Sequence, residues 1–503
     1  MELQPAIPQE AASVILLDHS GEMILWARRN PALKFLGGFH SFAGGKVDES
    51  DVDADIRNCR DNEQKTLLAC AAREVFEEIG VLLVRNGDRL TKGQLPILHV
   101  DLLSGRSTFA EILNHWGLWI DAGDFTFAGV WTTPEFSRVR FRTTFFVARC
   151  PAKQTPYAAI SELQDIEFID PGDALDRWSR SEVLIAPPVL KTLKAFEQTG
   201  TASGDDADFA SACAKFAADR ADGPHYLELN SRLVCFPVRT KTLPPATHTN
   251  CYISGGKRFV VIDAATPFED EQRKLIDYVS ERLEMGDVCE AIIVSHLHPD
   301  HFGGETTLKK DLRERFGVDV PIIAHEITIE SLRDKVRFDD EIKDSYRLQD
   351  SAGAEFKIDV IHTPGHARGH LCFYDEEFGF LLSSDNIVGE GSVVIAPPEG
   401  NMSDYLESLE KMRSLPGLRS LAGSHGAAVC DAKSKINRYL EHRFEREEQV
   451  YRAIIGGASD FAGIVAGVYA DLDPILLPLA EKSVEAHVER LIEERRISSN
   501  WDK

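Results

Sequence analysis

The sequence predicts an α/β protein made of several domains. Short apolar segments typical of buried strands alternate with amphipathic helical segments along most of the chain. The length of 503 residues exceeds what one hydrophobic core usually organises. Residues 199–224 contain no Leu, Ile or Val and are rich in Ala, Asp and Gly, which is typical of a linker or a loose helix. We therefore expect one domain at 1–198, a second at 225–430, and a small helical domain at 431–503.

Composition and charge narrow the class of protein. The net charge of −25 argues against a protein that coats nucleic acid, because phosphate binding needs clustered Lys and Arg. The nine cysteines form no C-x-x-C pair, which favours reduced thiols and a cytoplasmic location over a disulfide framework. No apolar stretch is long enough for a membrane span, and residues 1–20 do not resemble a secretory signal. We expect no membrane partner, and the oligomeric state is not predicted.

The clearest pattern of the first half is a predicted helix that carries Arg73, Glu74, Glu77 and Glu78. The three glutamates stand at i, i+3 and i+4, so they share one face of the helix. Carboxylates held this close repel one another, and a hard divalent cation such as Mg²⁺ relieves the repulsion. Arg73 precedes Glu77 by four residues and can brace it. The pattern therefore indicates a magnesium site on this helix.

A glycine pair, Gly44 and Gly45, lies upstream and lets a backbone approach a helix or a ligand closely. Gly45, Asp51 and the segment 73–81 together resemble the Nudix box, which reads G-x5-E-x7-R-E-U-x-E-E-x-G-U. Asp51 stands where that family has Glu, and residues 52–72 replace the shorter family spacer. An insertion of this kind resembles the coenzyme A diphosphatase subgroup. The resemblance implies an α/β/α sandwich for the first domain.

The resemblance also implies a hydrolase that cleaves a nucleoside diphosphate derivative, possibly one related to coenzyme A. Glu74, Glu77 and Glu78 would hold Mg²⁺ or Mn²⁺, and these glutamates and Arg73 would be the catalytic residues. Gly44 and Gly45 would line the ligand-binding loop. An alternative is a Nudix domain that binds a nucleotide without cleaving it and regulates the second domain.

The second pattern follows an apolar run at 291–295 that is suited to a buried strand. His296, His298, Asp300 and His301 come directly after it. An extended backbone turns His296 and His298 to the same side, and the next two residues follow where the chain bends. Imidazole and carboxylate ligands suit Zn²⁺, with iron or manganese as alternatives.

Three further candidate ligands, His366, Asp385 and His425, each lie just after a strand-like or glycine-flanked segment. In this order, the set resembles the metallo-β-lactamase family, which implies an αββα fold and two metal ions. The implied ligands divide into His296, His298 and His366 for the first metal, Asp300, His301 and His425 for the second, and Asp385 as the bridge. The resemblance to glyoxalase II-like members implies hydrolysis of an ester or thioester by a metal-bound hydroxide, with Asp300 counted among the catalytic residues.

The segment 431–503 resembles the small winged-helix domain of one branch of this family. Some members of that branch cut single-stranded RNA, so an RNA endonuclease is an alternative function. The segment carries 11 Lys and Arg against 14 Asp and Glu, which favours small-molecule substrates over nucleic acid. The leading prediction is a bifunctional hydrolase with a zinc site and a magnesium site.

Overall fold

A computed structural model describes residues 6–91, 93–158, 162–199, 206–221, 226–244, 246–389, 391–458, 460–470, 476–498 and 501. The chain divides into two compact units, Met1–His225 and Tyr226–Lys503. No helix within the described ranges is long and apolar enough to cross a lipid bilayer.

The N-terminal unit is built on a mixed sheet. Its described strands are β1 (Gln9–Leu17), β2 (Ile24–Arg29), β3 (Phe39–Ser41), β4 (Ala43–Lys46), β5 (Ile56–Arg57), β6 (Ile120–Asp121), β7 (Thr126–Thr132), β8 (Phe141–Arg149), β9 (Leu163–Ile169) and β10 (Leu184–Ile185). Its described α-helices are α1 (Asn62–Ile79), α2 (Gln94–Leu103), α3 (Phe109–Trp116), α4 (Pro171–Ser179), α5 (Pro187–Thr199) and α6 (Asp206–Ala221). Short 3-10 helices lie at Glu49–Asp53, Gly87–Arg89 and Ala122–Asp124.

Strand β1 lies inside this sheet, whose order is β10-β3-β2-β1-β8-β7, with β4 paired to β1 and β9 to β2. Its side chains alternate between two cores. Val14 and Leu16 pack with residues of α1, whereas Ile15 and Leu17 pack with residues of α4, α5 and α6. A strand buried on both faces needs helices on both sides of the sheet. The N-terminal unit is therefore the α/β/α sandwich that the sequence predicts.

Helix α6 corrects the expectation of a linker or loose helix at 199–224, because it packs into the core of the N-terminal unit. Its residue Phe209 is buried in the second core and packs against Phe196 at a ring distance of 5.0 Å. Its small side chains let the helix approach β7 so closely that a Cβ added to Gly129 would lie 2.8 Å from Cβ of Ala217. The shortage of large apolar residues reflects this close packing and not a lack of structure. Residues 200–205 and 222–224 of the expected linker lie outside the described residues.

The residues inserted into the Nudix-like pattern, 52–72, are accommodated in two ways. Ile56 and Arg57 form β5, which pairs with β6. Residues 62–72 form the N-terminal part of α1, where the Asp61 side chain accepts a hydrogen bond from the Gln64 amide at 2.8 Å. At the other end, Gly80 adopts φ 68°, the left-handed conformation that terminates a helix. The insertion thus lengthens the glutamate-bearing helix without disturbing its end.

The C-terminal unit contains the remaining elements. Its described strands are β11 (Leu227–Asn230), β12 (Leu233–Arg239), β13 (His248–Gly255), β14 (Arg258–Ile262), β15 (Val288–Ile293), β16 (Ile322–Ala324), β17 (Asp340–Glu341), β18 (Ser345–Gln349), β19 (Glu355–His362), β20 (Leu371–Asp375), β21 (Phe380–Ser384) and β22 (Ser420–Gly423). Its described helices are α7 (Glu269–Glu284), α8 (Glu305–Phe316), α9 (Glu326–Leu332), α10 (Met402–Arg413), α11 (Ala432–Ile455), α12 (Phe461–Val468) and α13 (Leu477–Glu493).

Two groups of strands make up the sheet of this unit. Strands β11 to β17 form one group and β18 to β22 the other, joined through the pairing of Arg258 with Gln349. Helices α7, α8 and α9 share a core with the first group, while α10 and α11 share a core with the second. Helices thus cover both groups of strands, in agreement with the predicted αββα architecture.

The tail of this unit is helical, as predicted. Helices α11, α12 and α13 pack around a small apolar core that includes Val450, Ile464 and Val484. Inside the tail, the carboxylate of Glu447 accepts hydrogen bonds from Arg490 and Arg496. Several basic groups of the tail are therefore engaged within the protein.

Candidate active sites

The candidate ligands of the C-terminal unit follow the last residues of four strands, β15, β19, β21 and β22. Strands β21 and β22 run parallel, with Ser384 opposite Gly423, so Asp385 and His425 leave the sheet at the same edge. Strand β19 is antiparallel to β20, and β20 to β21, so the loop to His366 also leaves at that edge. The topology explains why residues far apart in sequence meet.

The structure brings all seven predicted residues into one cluster. Three overlapping groups have donor atoms that lie within 4.8 Å of one another: His296, His298 and His366; His296, His301 and Asp385; and Asp300, His301 and His425. Two of these groups match the two predicted ligand triads. The third links them through Asp385.

Asp385 lies between the two triads. Its Oδ2 is 3.4 Å from Nε2 of His301 and 3.6 Å from Nε2 of His366, and its Oδ1 is 3.5 Å from Nε2 of His425. Nε2 of His301, Nε2 of His366 and Oδ1 of Asp385 are buried and have no hydrogen-bond partner among the described residues. Buried polar atoms are normally paired, so converging unpaired nitrogen and oxygen donors fit divalent metal ions such as Zn²⁺.

Electrostatics support the same interpretation. Burial and the neighbouring imidazoles lower the pKa of His298 to about 3, so this residue is a neutral ligand at physiological pH. Burial opposes the charged form of His425 as well, but the Asp385 carboxylate outweighs it and raises the pKa of His425 to about 10. Without a metal ion, a proton on His425 supplies positive charge to the carboxylates. A metal ion would replace that charge and release the proton.

The candidate site of the N-terminal unit centres on Arg73. Its Nε donates to Oδ1 of Asp51 at 2.7 Å and its Nη2 to Oδ2 at 3.0 Å. Nη1 donates to Glu74 at 2.8 Å and to Glu77 at 3.0 Å. Asp51 and Arg73 are 2% and 7% exposed, so this is a buried, doubly hydrogen-bonded ion pair. Arg73 thus braces Glu74 as well as Glu77, and Asp51 orients Arg73.

Gly44 and Gly45 contact the glutamates directly. The Gly44 amide donates to Oε2 of Glu78 at 2.9 Å. A Cβ added to Gly45 would lie 2.6 Å from Oε1 of Glu74. Gly45 is therefore needed for the close approach of β4 to α1, whereas a Cβ on Gly44 would collide with Ala12 and Ser13 of β1.

The three glutamates are crowded but less tightly gathered than the histidine cluster. Burial raises the pKa of Glu74 to about 7, with the charge of Glu77 adding to the effect. Burial and the charge of Glu74 raise the pKa of Glu78 to about 8. The groups of three donors within 4.8 Å found in the described residues all belong to the histidine cluster. The glutamates are held apart because Glu74 and Glu77 bind Arg73 whereas Glu78 binds the Gly44 amide. A set of ligands made only of carboxylates suits Mg²⁺.

Three family models match the chain. The NUDIX domain matches residues 7–99, the metallo-beta-lactamase superfamily matches 244–425, and the beta-lactamase associated winged helix domain matches 462–503. The chain carries all three domains. The first two are hydrolase families whose members generally bind divalent metals.

Similar proteins were found for both units. Beta-lactamase-like protein 2 homolog of Drosophila melanogaster is 28% identical over 270 residues, which cover 51% of this chain and 86% of that protein. Atrochrysone carboxyl ACP thioesterase nsrC of Aspergillus novofumigatus is 28% identical over 211 residues, which cover 41% of this chain and 58% of that protein. A NUDIX hydrolase of Alicyclobacillus acidocaldarius has a solved structure with 29% identity and a TM-score of 0.33, which covers 38% of this chain and 91% of that one.

Four of the five candidate ligand imidazoles, those of His296, His301, His366 and His425, are held through Nδ1. Such outer contacts fix the tautomer and the ring orientation of a metal ligand. The Nδ1 contacts are Ser295 Oγ for His296 at 3.0 Å, Asp263 Oδ2 for His301 at 2.9 Å, the Val394 carbonyl for His366 at 2.9 Å, and the His248 carbonyl for His425 at 2.8 Å.

Asp263 is a residue of this site that sequence reasoning missed. It follows β14 with φ 55°, a left-handed conformation that is rare outside glycine. Its carboxylate accepts hydrogen bonds from the amide and the hydroxyl of Ser295, both at 2.7 Å, besides its contact with His301. A lone carboxylate directly after an apolar strand is the sequence feature that could have drawn attention to it.

Proposed function

We propose that the protein is a bifunctional metal-dependent hydrolase. In this proposal the metallo-β-lactamase domain cleaves a thioester or ester, and the NUDIX domain cleaves a diphosphate. The observation that carries the proposal is the cluster of seven donor residues, in which Nε2 of His301, Nε2 of His366 and Oδ1 of Asp385 are buried without a hydrogen-bond partner in the part of the chain that the structure describes.

The proposed metals of the lactamase domain are two Zn²⁺ ions, with iron or manganese as alternatives. His296, His298 and His366 would hold the first, Asp300, His301 and His425 the second, and Asp385 would lie between them. When bound, the two ions would supply an activated water molecule and stabilise the developing oxyanion. The chain contributes fixed ring orientations, since Asp263 contacts Nδ1 of His301 and Ser295 contacts Nδ1 of His296.

A thioester is the favoured substrate class because a relative of this chain is named an ACP thioesterase. The test is hydrolysis of an acyl-coenzyme A by the zinc-loaded full chain, measured as the loss of the thioester absorbance. Wild type should turn the substrate over, and His298→Ala should lose at least about a hundredfold in rate. Glu77→Gln is the matched control, because it alters the NUDIX domain alone and should retain full thioesterase activity. Hydrolysis that persists in His298→Ala, or that is missing in the zinc-loaded wild type, would overturn this part of the proposal.

For the NUDIX domain we propose that Glu74, Glu77 and Glu78 hold Mg²⁺ and that Arg73 holds the first two in place. Support comes from the crowding of carboxylates whose pKa values burial raises, since a cation would relieve it. The test is release of a nucleoside monophosphate from coenzyme A and from ADP-ribose with Mg²⁺, with Asp300→Ala as the matched control. Tight nucleotide binding without any cleavage would instead favour a regulatory role for this domain.

The winged-helix match at 462–503 favours a second candidate, an endonuclease for single-stranded RNA. Three basic groups of the tail are engaged within the protein, which disfavours this candidate. Arg490 and Arg496 donate to Glu447, and Arg446 donates to the Val468 carbonyl. A labelled single-stranded RNA that stays intact with Zn²⁺ or Mn²⁺ would exclude this candidate, and cleavage that Asp300→Ala abolishes would support it.

A further inference from the structure

Three side chains on one face of α11 contact the segment next to the cluster of seven candidate ligands without being ligands themselves. Lys435, Tyr439 and Arg443 are spaced four residues apart, so they lie on the same face of the helix. Each contacts backbone groups of the segment that follows Asp385. Lys435 Nζ donates to the Gly389 carbonyl at 2.9 Å, the Tyr439 hydroxyl to the Gly391 carbonyl at 3.0 Å, and Arg443 Nη2 to the Val393 carbonyl at 2.5 Å.

These side chains hold the segment that runs from Asn386 to Val394. It adjoins Asp385 and contacts two other predicted ligands, His425 and His366. The Gly389 amide donates to the carbonyl of His425 at 2.7 Å. The Val394 carbonyl lies 2.9 Å from Nδ1 of His366, so it accepts the proton of that nitrogen and leaves Nε2 as the donor atom for a metal.

The anchoring is buried and has several contacts. Arg443 and Tyr439 are 3% and 5% exposed. The Arg443 guanidinium lies 5.3 Å from the ring centre of Tyr405, whose hydroxyl donates to the Asn386 carbonyl at 2.7 Å. Both ends of the segment are thereby fixed to helices, one end through Tyr405 of α10 and the other through Arg443 of α11.

We infer that Lys435, Tyr439 and Arg443 are positioning residues for the metal cluster. By fixing the Gly389, Gly391 and Val393 carbonyls, they hold the segment whose Val394 carbonyl accepts from His366 and whose Gly389 amide donates to the His425 carbonyl. This inference rests on the proposal that the cluster holds metal ions. It assigns the tail a role within this chain: α11 completes the metal site although it contributes no ligand.

The test compares Arg443→Met with Arg446→Met in the full chain. Both arginines belong to α11, donate to one backbone carbonyl and lie over one tyrosine ring, but Arg446 contacts Val468 and Tyr469 of the tail. Cobalt or zinc affinity is measured by competition with a chelator, together with the visible spectrum of the cobalt form. We expect Arg443→Met to bind metal about tenfold more weakly, at the low end of what outer contacts of metal ligands contribute, and Arg446→Met to bind like wild type.

Tyr439→Phe keeps the inference falsifiable if Arg443→Met does not fold. It removes the hydroxyl that donates to Gly391, and its control is Tyr374→Phe, which removes a buried hydroxyl that donates to the Pro416 carbonyl. The inference is supported if Tyr439→Phe binds metal more weakly and alters the cobalt spectrum while Tyr374→Phe does neither. Metal binding equal to wild type in folded Arg443→Met or in Tyr439→Phe overturns it. A wild type that holds no metal refutes the proposed function itself, so the two failures are distinguishable.

Discussion

Replacing Asp51 with Asn should destabilise the NUDIX domain strongly. The substitution removes the carboxylate from a buried pair and leaves the Arg73 guanidinium, 7% exposed, without its two-point partner. Breaking a buried ion pair by removing one member costs about 3–5 kcal/mol. Arg73 keeps its hydrogen bonds to Glu74 and Glu77, so we expect a loss of about 3 kcal/mol, at the lower end of that range.

Urea unfolding of the full chain measures this loss. Five of the six tryptophans, Trp26, Trp116, Trp119, Trp131 and Trp178, belong to the N-terminal unit, so tryptophan emission reports its unfolding. With an m value of about 2 kcal/mol/M, the midpoint should fall by about 1.5 M. Asp55→Asn is the matched control, because it breaks an exposed pair with Arg57 and should leave the midpoint nearly unchanged. A midpoint for Asp51→Asn equal to that of the control would refute the assigned role of the pair.

Three further predictions test other contacts. Asp263→Ala should weaken metal binding about 10–100-fold, measured by chelator competition, because it frees the His301 ring and the Ser295 hydroxyl; unchanged affinity would refute this. Gly45→Ala should lower Mg²⁺-dependent diphosphatase activity at least about tenfold, because the new Cβ would lie 2.6 Å from the Glu74 carboxylate; activity equal to wild type would contradict the close approach. Burial raises the pKa of Glu78 from 4.5 to about 8, so its contribution to the stability of the metal-free domain is complete below pH 4.5 and lost as the pH rises through 8. Urea unfolding at pH 5 and pH 8.5 should show this loss, Glu78→Gln should reduce it, and Mg²⁺ should reverse it at pH 8.5; a pH dependence that Glu78→Gln does not change would contradict it.

The sequence predicted both sheet-based units because their motifs are local. His296 to His301 follow one strand within six residues, and the three glutamates share one helical turn, so spacing alone relates them. The order of His366, Asp385 and His425 then fits the fold family, and the topology brings them to one edge. Sequence spacing could not predict that the glutamates have different partners. Glu78 accepts from the Gly44 amide and Glu74 from Arg73, and these contacts depend on the three-dimensional structure.

Residues 206–221 form a packed helix where a linker or loose helix was expected. Apolar content is a good guide to burial when side chains must fill space between separated elements. Helix α6 instead packs its alanines against Gly129 of β7, where a larger side chain would collide. A segment poor in Leu, Ile and Val is therefore compatible with a core helix whenever its partner strand presents a glycine.

The residues that sequence reasoning missed share one property, which is that they act through partners far along the chain. Asp263 is separated from His301 by 38 positions, and Arg443 from Val393 by 50. Arg443 also acts on a carbonyl, and every residue carries one, so no side-chain pattern marks the acceptor. The seven candidate ligands specify which atoms could bind metal, but the segment that follows Asp385 contacts two of them, His366 through the Val394 carbonyl and His425 through the Gly389 amide. A lactamase domain ending before α11 would keep every ligand and lose the contacts that align them.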